Sequence, residues 1–230
     1  MKNTIPDGER RFVRLWHGLI PPARYMAASL NNYTSENDTQ VKALQMCREW
    51  ADTDPSTLTN GLFFVGPVGT GKTHLALATI KELFWNHPTA FIPYHEKWDE
   101  YKLMLDNEPN WNRNALTVAY INTVVLLQHI RDGIGNKDQP EAATEYIKMT
   151  KRADILVMDD IAAERTTDWV QEQLFAIIDF RYTRKMITCF TSNLNVSGLE
   201  AKLGDRSMSR ILEMTEGVPV VGRDYRRKGA

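Results

Sequence analysis

The stretch Gly66–Thr73, GPVGTGKT, gives the strongest indication of what this chain folds into. It matches the pattern G-x-x-x-x-G-K-[ST], a glycine-rich loop whose backbone N–H groups surround the phosphates of a nucleotide. Gly69 and Gly71 allow the tight bend that turns successive N–H groups toward one anion. Lys72 can reach the β- and γ-phosphates, and the Thr73 hydroxyl can bind Mg²⁺. The residues predicted to contact the nucleotide are Gly66, Pro67, Val68, Gly69, Thr70, Gly71, Lys72, Thr73 and His74.

The sequence on both sides of this loop fits a strand followed by a helix. Residues 61–65, GLFFV, form a short apolar run typical of a buried strand, and residues 74–84 have the apolar spacing of a helix. The positive N-terminal end of such a helix favours a bound anion. The sequence therefore predicts a protein that binds ATP or GTP.

Composition limits the class of protein. The chain has 230 residues, 43% hydrophobic and 25% charged, which is ordinary for a soluble protein with a sizeable core. Its net charge of −1 means that any surface for nucleic acid must be local. Its two cysteines, Cys47 and Cys189, form no CxxC pair and suit a reducing cytoplasm. Because no apolar run has the length of a signal peptide or a membrane span, we expect a cytoplasmic protein with no membrane partner.

Strand and helix patterns alternate along most of the chain. This alternation predicts a parallel sheet with helices on both faces, a three-layer α/β/α arrangement of five strands. Besides the strand before the glycine-rich loop, strands are predicted at 116–121, 155–160, 187–193 and 218–221. Further helices are predicted at 38–52, 124–131, 168–183 and 204–214, with one more ending near residue 150.

Two segments depart from this alternation. Residues 1–35 are predicted to be a loosely structured arm, because proline and glycine interrupt any long helix there. Residues 36–230 are then the nucleotide-binding domain, with an insertion at 86–115 that is rich in Asn, Pro, Trp and Tyr. Trp98 and Trp111 in that insertion are candidates to contact a partner or to stack on bases, or to pack over the sheet.

Acidic and amide side chains stand where predicted strands end, at the edge of a parallel sheet where ligands bind. Asp159 and Asp160 close the strand ILVMD, and Asn193 closes ITCFTS. We expect Asp159 to hold Mg²⁺ and Asp160 to orient or deprotonate the attacking water. Asn193 can hydrogen-bond that water or the γ-phosphate. Aspartate at position 160 is one methylene shorter than the glutamate often found in this role, which predicts slow hydrolysis.

Together these motifs resemble the AAA+ ATPases of the DnaC/DnaI helicase-loader and IstB transposition-helper family. The resemblance covers most of the chain and runs in the family's order through GLIPPARYMAASLNNY, GLFFVGPVGTGKTHLALATIKEL, ILVMDDIAAERTTDW, IIDFRYTRK, TSNL and GDRSMSRILEMTEGVPVVGRDYR. It implies an AAA+ type P-loop fold with little or no C-terminal lid, an ATPase activity, and ATP with Mg²⁺ as the bound nucleotide. Ala162 departs from the pattern, since the family usually has glycine there.

The same resemblance assigns roles to two arginines. Arg210 matches the arginine finger that reaches the ATP of a neighbouring subunit, and Arg226 matches the second sensor arginine that contacts the γ-phosphate in its own subunit. A finger in trans implies that subunits associate head to tail, as a ring or open spiral. By spacing alone, a surface ion pair explains either arginine better than a phosphate contact does.

The resemblance also implies a surface for single-stranded DNA and a site for a helicase. The helical region 123–152 corresponds to the DNA-binding region of related initiators, and its basic residues are Arg131, Lys137, Lys148, Lys151 and Arg152. Loaders of this family usually carry a helicase-binding N-terminal domain in the place of residues 1–35. We therefore expect helicase contacts from the apolar residues of that arm, namely Phe12, Leu15, Trp16, Leu19 and Ile20.

Three functions remain open at this point. The first is an ATP-dependent loader of a replicative DNA helicase, which assembles with ATP and holds single-stranded DNA. The second is an IstB-like transposition helper that acts on duplex DNA. The third is a nucleotide-gated scaffold or inhibitor that binds a helicase without useful hydrolysis, an alternative that the short side chain of Asp160 keeps open.

Overall fold

The structure is a computed structural model that describes residues 7–93, 115–135, 140–163, 165 and 167–226. Within these residues six strands form one sheet in the order β2-β3-β4-β5-β1-β6, and every neighbouring pair is parallel. The strands are β1 (Gly61–Val65), β2 (Phe91–Pro93), β3 (Leu116–Asn122), β4 (Ile155–Asp159), β5 (Ile187–Ser192) and β6 (Thr215–Pro219). The predicted parallel α/β sheet is confirmed.

The predicted count of five strands is wrong because it omits β2. This strand lies inside the predicted insertion 86–115 and pairs with β3 at the edge of the sheet, with Phe91 opposite Leu116. Three residues are too few for a strand pattern to be recognised in sequence. Residues 94–114 of that predicted insertion, with Trp98 and Trp111, lie outside the described residues.

The last strand also differs from its predicted position. It runs over Thr215–Pro219 rather than 218–221, and it pairs with β1 from Gly61 opposite Thr215 to Val65 opposite Pro219. Its Glu216 and Gly217 are exposed, and β6 lies at the edge of the sheet. Because the strand begins with polar residues, a search for apolar runs does not find its start.

The described helices surround this sheet. They are α1 (Asp7–Gly18), α2 (Asp38–Asp52), α3 (Lys72–Asn86), α4 (Thr123–Gly135), α5 (Pro140–Arg152), α6 (Asp168–Thr183), α7 (Val196–Leu203) and α8 (Asp205–Glu213). The predicted helices 38–52 and 168–183 are confirmed with the same bounds, and the Thr167 side chain caps the second of them by accepting a hydrogen bond from the Val170 N–H. No helix of the described residues is long and apolar enough to cross a membrane.

The N-terminal segment is more ordered than the predicted loose arm. It contains α1, and Leu15 and Trp16 on this helix, with Leu19 directly after it, are buried in the core with exposed fractions of 2%, 4% and 5%. Phe12 packs edge-on against Trp85 of α3, with ring centroids 5.1 Å apart. The spacing of these four apolar residues, at i, i+3, i+4 and i+7, is that of one helix face.

This packing corrects the expectation that the apolar residues of the arm are available for contacts with a helicase. Leu15, Trp16 and Leu19 are already covered by this domain, and the Trp16 Nε1–H donates to the Met26 carbonyl at 3.1 Å. Ile20 is the one of the five that stays 72% exposed. Of the described residues taken as interruptions, Gly8 lies in the first turn of α1, Gly18 ends the helix, and Pro21 and Pro22 follow it, so none of them breaks it.

Two hydrophobic cores lie on opposite faces of the sheet. Leu62 and Phe64 of β1 point to the side of α1, α2 and α3, whereas Phe63 between them points to the side of α4 to α8. The same alternation separates Val157 from Leu156 in β4. Burial on both faces explains why the central strands read as continuous apolar runs.

Arg181 of α6 lies between these layers, fully buried. Its Nη1 donates to the Thr150 and Ala153 carbonyls at 2.9 and 2.8 Å, and its Nη2 donates to the Ile187 carbonyl at 2.7 Å. Its Nε donates to the Thr188 hydroxyl at 2.8 Å. One guanidinium therefore ties the end of α5 and the start of β5 to α6, at the end of the sheet opposite to the glycine-rich loop.

Candidate nucleotide site

The glycine-rich loop joins the end of β1 to the start of α3, as predicted. Gly69 and Gly71 have φ of 79° and 96°, in the region that favours glycine. A Cβ atom on Gly71 would lie 2.6 Å from the Tyr33 ring, and one on Gly66 would collide with the Val220 carbonyl. These glycines are thus required both for the bend and for the close approach of neighbouring segments.

Lys72 is the first residue of α3, and its side chain folds back along the loop. Its Nζ donates to the Gly66 and Pro67 carbonyls at 2.8 and 2.6 Å, and the residue is only 6% exposed. Burial lowers the pKa of Lys72 to about 8, outweighing the opposite effect of Asp160. A phosphate would offer this ammonium charged acceptors, which form stronger hydrogen bonds than these two carbonyls do.

Thr73 and Asp159, the two predicted Mg²⁺ residues, are in direct contact. The Thr73 hydroxyl donates to Asp159 Oδ1 at 2.8 Å. Two further hydroxyls donate to the same carboxylate, Thr191 to Oδ1 at 2.7 Å and Tyr120 to Oδ2 at 2.9 Å. Asp159 is 5% exposed, so these three hydroxyls hold an almost buried carboxylate in one orientation.

Asp160 and Asn193, which end neighbouring strands, are also in contact. Asn193 Nδ2 donates to Asp160 Oδ1 at 2.6 Å. The Asp160 N–H donates to the Thr191 hydroxyl at 2.8 Å, so Thr191 links both acids. Burial raises the pKa of the Asp160 carboxyl, and the charge of Asp159 adds to this increase. A raised pKa makes this carboxylate a better proton acceptor for an attacking water.

The backbone just after the acids is strained. Asp160 has φ of 58° and Ala162 has φ of 64°, both in the left-handed region. Ala162 is the residue that replaces the glycine expected from the family resemblance. Its conformation shows why glycine is suited to that place, and the Lys202 ammonium donates to its carbonyl at 2.8 Å.

The N-terminal segment forms part of the wall around the loop. The Tyr33 hydroxyl donates to the Thr70 carbonyl at 3.1 Å, and burial raises the pKa of that hydroxyl. His74, a predicted nucleotide contact, has its Nε2 at 3.0 Å from the Ser29 carbonyl. This contact requires a proton on Nε2, and burial lowers the pKa of His74 and so favours the neutral ring.

The C-terminal segment returns to the same loop. The Tyr225 N–H donates to the Gly69 carbonyl at 3.0 Å, and its hydroxyl donates to the Thr34 carbonyl at 2.7 Å. Arg226 follows, exposed at the cavity, and its charge acts on Lys72 and Asp160. The structure therefore brings Arg226 to the site in its own subunit.

These groups surround one cavity of about 1210 Å³, which is large enough for a nucleotide. It is lined at one end by the loop and the acids, and elsewhere by residues of the N-terminal segment, β3, α4 and α5. Of the predicted site residues, its lining includes Gly69, Gly71, Lys72, Thr73, His74, Asp159, Asp160, Asn193 and Arg226. Tyr33, Tyr120, Thr191 and Tyr225 also line it and were not identified from the sequence.

Arg210 lies away from this cavity. On α8, its Nε is 2.8 Å from Asp179 Oδ1 of α6, and its guanidinium lies over the rings of Phe175 and Tyr182. It does not line the nucleotide cavity of its own chain.

The predicted DNA contacts are spread over a wide surface. Arg131 lies 5.4 Å from the Trp169 ring centroid, and Lys151 lies 5.3 Å from that of Phe180. These two aromatic residues are near opposite ends of α6, about 16 Å apart along its axis at 1.5 Å per residue. Lys148 is half-buried and Arg152 exposed, both on α5, and Lys137 lies outside the described residues. The described residues therefore do not form one compact basic cluster.

Known proteins are similar to this chain in sequence and in structure. No protein-family model matches the chain. By sequence it is 26% identical to the protein YdaV of Escherichia coli K12 over 80% of this chain and 61% of that protein. It is 25% identical to the replicative helicase loader DnaC of the same organism over 80% of this chain and 62% of that protein. The chain thus spans less than two thirds of the length of these relatives.

By structure the chain is similar to the DnaC helicase loader, with a TM-score of 0.65 and 26% identity over 86% of this chain and 99% of the solved one. It shares its fold with DnaI, with a TM-score of 0.62 and 19% identity over 89% of this chain and 93% of the solved one. These similarities confirm the AAA+ P-loop fold expected from the motifs. Sequence and structure together support a DnaC-like AAA+ family for this chain.

Proposed function

We propose that this chain is an ATP-dependent loader of a replicative DNA helicase. One observation carries the proposal: the glycine-rich loop, the Thr73–Asp159 pair and the Asp160–Asn193 pair surround one cavity, in a chain similar to the DnaC helicase loader. The arrangement suits cleavage of a nucleoside triphosphate, and the similarity supplies the process in which that cleavage is used.

The residues present fit ATP and Mg²⁺. The positive φ values of Gly69 and Gly71 leave backbone N–H groups available to an anion, and Lys72 lies beside them. Thr73 and Asp159 would hold Mg²⁺, because their oxygens already meet at one point. When bound, Mg²⁺ neutralises negative charge on the phosphates and fixes their orientation.

Asp160 is the proposed base for hydrolysis. Its carboxylate accepts a proton from a water molecule directed at the terminal phosphate, and the Asn193 amide keeps that carboxylate in place. Arg226, from the same subunit, adds positive charge at the cavity. The aspartate side chain holds the base farther from the phosphate than glutamate would, and the proposed turnover is slow.

Assembly is part of the proposal because Arg210 lies outside its own nucleotide cavity. In a head-to-tail arrangement it contacts the ATP of the next subunit, so that ATP both links subunits and is cleaved between them. The helical pair α4 and α5 is the proposed surface for single-stranded DNA in this assembly. Hydrolysis then weakens the assembly and releases DNA and helicase.

The first test is capture of partners on the tagged chain with ATP and Mg²⁺ in its native host, comparing wild type with Lys72→Ala. Recovery of a replicative helicase that is lost in the variant is the expected result. Recovery of a transposase instead would replace the loader with a transposition helper. A helicase retained equally by both forms would indicate a scaffold or inhibitor that does not use the nucleotide.

The second test compares DNA substrates. Purified chain with ATP and Mg²⁺ is titrated with labelled single-stranded and duplex oligonucleotides of one length, at several salt concentrations. A loader binds the single strand more tightly, and the salt dependence gives the number of phosphates neutralised. Preference for the duplex would contradict the proposed single-strand contact.

A further inference from the structure

Arg210 is held by neighbouring side chains on the surface of its own subunit. Phe175, Asp179 and Tyr182 of α6 are spaced i, i+4 and i+7, so they present one face to α8. The Arg210 guanidinium lies on this face, 5.0 Å from the Phe175 ring centroid and 5.4 Å from that of Tyr182. Tyr182 is itself anchored, because its hydroxyl donates to Glu213 Oε2 at 2.7 Å.

The hydrogen bonds of Arg210 use one part of the guanidinium and leave the rest available. Nε donates to Asp179 Oδ1 at 2.8 Å, and Nη1 donates to the Arg206 carbonyl at 3.0 Å. Among the described residues these are the only hydrogen-bond acceptors of Arg210, so three of its five N–H groups have no acceptor there. Its side chain is 26% exposed, which places these N–H groups within reach of an approaching molecule.

We propose that Asp179 is a positioning residue for the arginine finger. This inference rests on the proposed role of Arg210 in trans, and it concerns how the Arg210 guanidinium is oriented before it contacts the ATP of the neighbouring subunit. An unrestrained arginine samples many rotamers and would lose this freedom on contact with phosphate. The Asp179 carboxylate and the two flanking rings fix the orientation of the Arg210 guanidinium before subunits associate. The N–H groups of Arg210 that have no acceptor in its own subunit can then bind the terminal phosphate directly.

The charge of Asp179 is compatible with this role. Its side chain is 37% exposed, so water screens the ion pair and the arginine keeps most of its attraction for phosphate. Asp179 acts only on the orientation of Arg210 and makes no contact with the nucleotide cavity of its own chain. Its effect on turnover therefore depends on which subunit carries it.

That dependence gives the test, a mixture of two inactive chains. Chains with Arg210→Ala keep an intact nucleotide site but have no finger to give. Chains with Asp160→Asn cannot hydrolyse ATP but offer a finger. The mixture regains ATPase activity only where an Asp160→Asn chain contributes Arg210 to the site of an Arg210→Ala chain.

Asp179→Ala is then added to one component at a time. In the chain that gives the finger, it is expected to reduce the regained turnover about three- to fivefold, the size of effect expected for a partly exposed ion pair. In the Arg210→Ala chain it is expected to change nothing, because no arginine remains to be positioned. Glu49→Ala in the finger-giving chain is the control, since Glu49 is an exposed acid on α2, on the other side of the sheet from α6 and α8.

The other outcomes contradict the proposal in distinguishable ways. Equal loss in both placements would show a structural role for Asp179, and no loss in either would show that it does not position the finger. Higher turnover with Asp179→Ala in the finger-giving chain would show that Asp179 restrains Arg210. If the starting mixture regains no activity, the finger in trans is wrong, and the positioning role is overturned with it.

Discussion

Asn193 Nδ2 donates a 2.6 Å hydrogen bond to Asp160 Oδ1, so the amide that follows β5 holds the acid that follows β4. The contact places Asn193 beside the proposed base as well as beside the cavity. In the proposed mechanism this amide would both orient Asp160 and lie close to the water that Asp160 would activate.

Replacing Asn193 by Ala is expected to lower ATP turnover about 100-fold, the usual cost of losing one polar group that acts on the reacting atoms. Binding of ATP should change little, because Lys72 and the loop are untouched. Steady-state ATPase rates and the Kd of a fluorescent ATP analogue separate the two effects. Asn86→Ala, at the far end of α3, is the control and should leave both values unchanged. Weaker analogue binding by Asn193→Ala would place this residue in binding instead.

Nucleotide affinity should depend on pH through Lys72, whose pKa burial lowers to about 8. Below this value the ammonium is charged and attracts phosphate; above it the neutral amine must gain a proton for binding. Affinity is therefore expected to fall as pH rises through 8, by about tenfold per pH unit at most. The Kd of the Mg²⁺ complex of a fluorescent ATP analogue, measured from pH 7.5 to 9.5, tests this.

The Lys72→Ala variant is the control for this pH effect. This variant should bind the ATP analogue weakly and with little change over the same pH range, since the group expected to titrate there has been removed. Every other titrating group is retained, so any remaining pH dependence comes from those groups. A wild-type affinity that is constant up to pH 9.5 would show that Lys72 stays charged throughout.

Tyr120→Phe is expected to raise the Mg²⁺ concentration needed for half-maximal ATPase activity about tenfold, a typical effect of losing a hydrogen bond to a metal ligand. The substitution removes only the hydroxyl that donates to Asp159 Oδ2. Tyr146→Phe is the matched control, because Tyr146 lines the same cavity but stacks on His129. If both variants shift the Mg²⁺ dependence equally, the effect belongs to the cavity and not to Asp159.

Arg181→Met is expected to lower the free energy of unfolding by about 3 kcal/mol or more, because it leaves buried carbonyls of Thr150, Ala153 and Ile187 without their donors. Arg184→Met is the control. Arg184 is exposed and only lies over the Phe180 ring, at 3.7 Å, so its loss should cost about 1 kcal/mol at most. Denaturant unfolding followed by tryptophan fluorescence measures both.

If Arg181→Met does not fold, Arg181→Lys provides the comparison. Lysine keeps the charge but has three donors on one nitrogen, and it should also be less stable than wild type. Equal stability of Arg181→Lys and wild type would show that the fork of the guanidinium is not needed.

The sequence alone predicts those site residues that lie within one motif or at the end of a strand. Lys72, Thr73, Asp159, Asp160 and Asn193 are in this group, because the carboxyl ends of parallel strands meet at one edge. The prediction extended to Arg226, through the family resemblance, and the structure places Arg226 at the cavity.

The site residues that the sequence does not reveal reach the site from other strands or segments, through the register of the folded chain. Met158 pairs with Phe190, so the next residues, Asp159 and Thr191, lie side by side, and nothing local in TCFTS distinguishes that threonine. Tyr120 reaches Asp159 from a strand that looks like ordinary core. Tyr33 contacts Thr70 across 37 positions of sequence. Such contacts depend on how strands are ordered, which a single sequence does not specify.

The contacts of Tyr33 and Tyr225 with the glycine-rich loop have a consequence for where this domain begins and ends. Tyr33 reaches the loop from the N-terminal side and Tyr225 from the C-terminal side, and the Tyr225 hydroxyl joins the two segments at Thr34. A boundary at residue 35 would therefore cut through the wall of the nucleotide cavity. We expect the smallest fragment that keeps this wall intact to run through both tyrosines, because each of them is bonded to the loop.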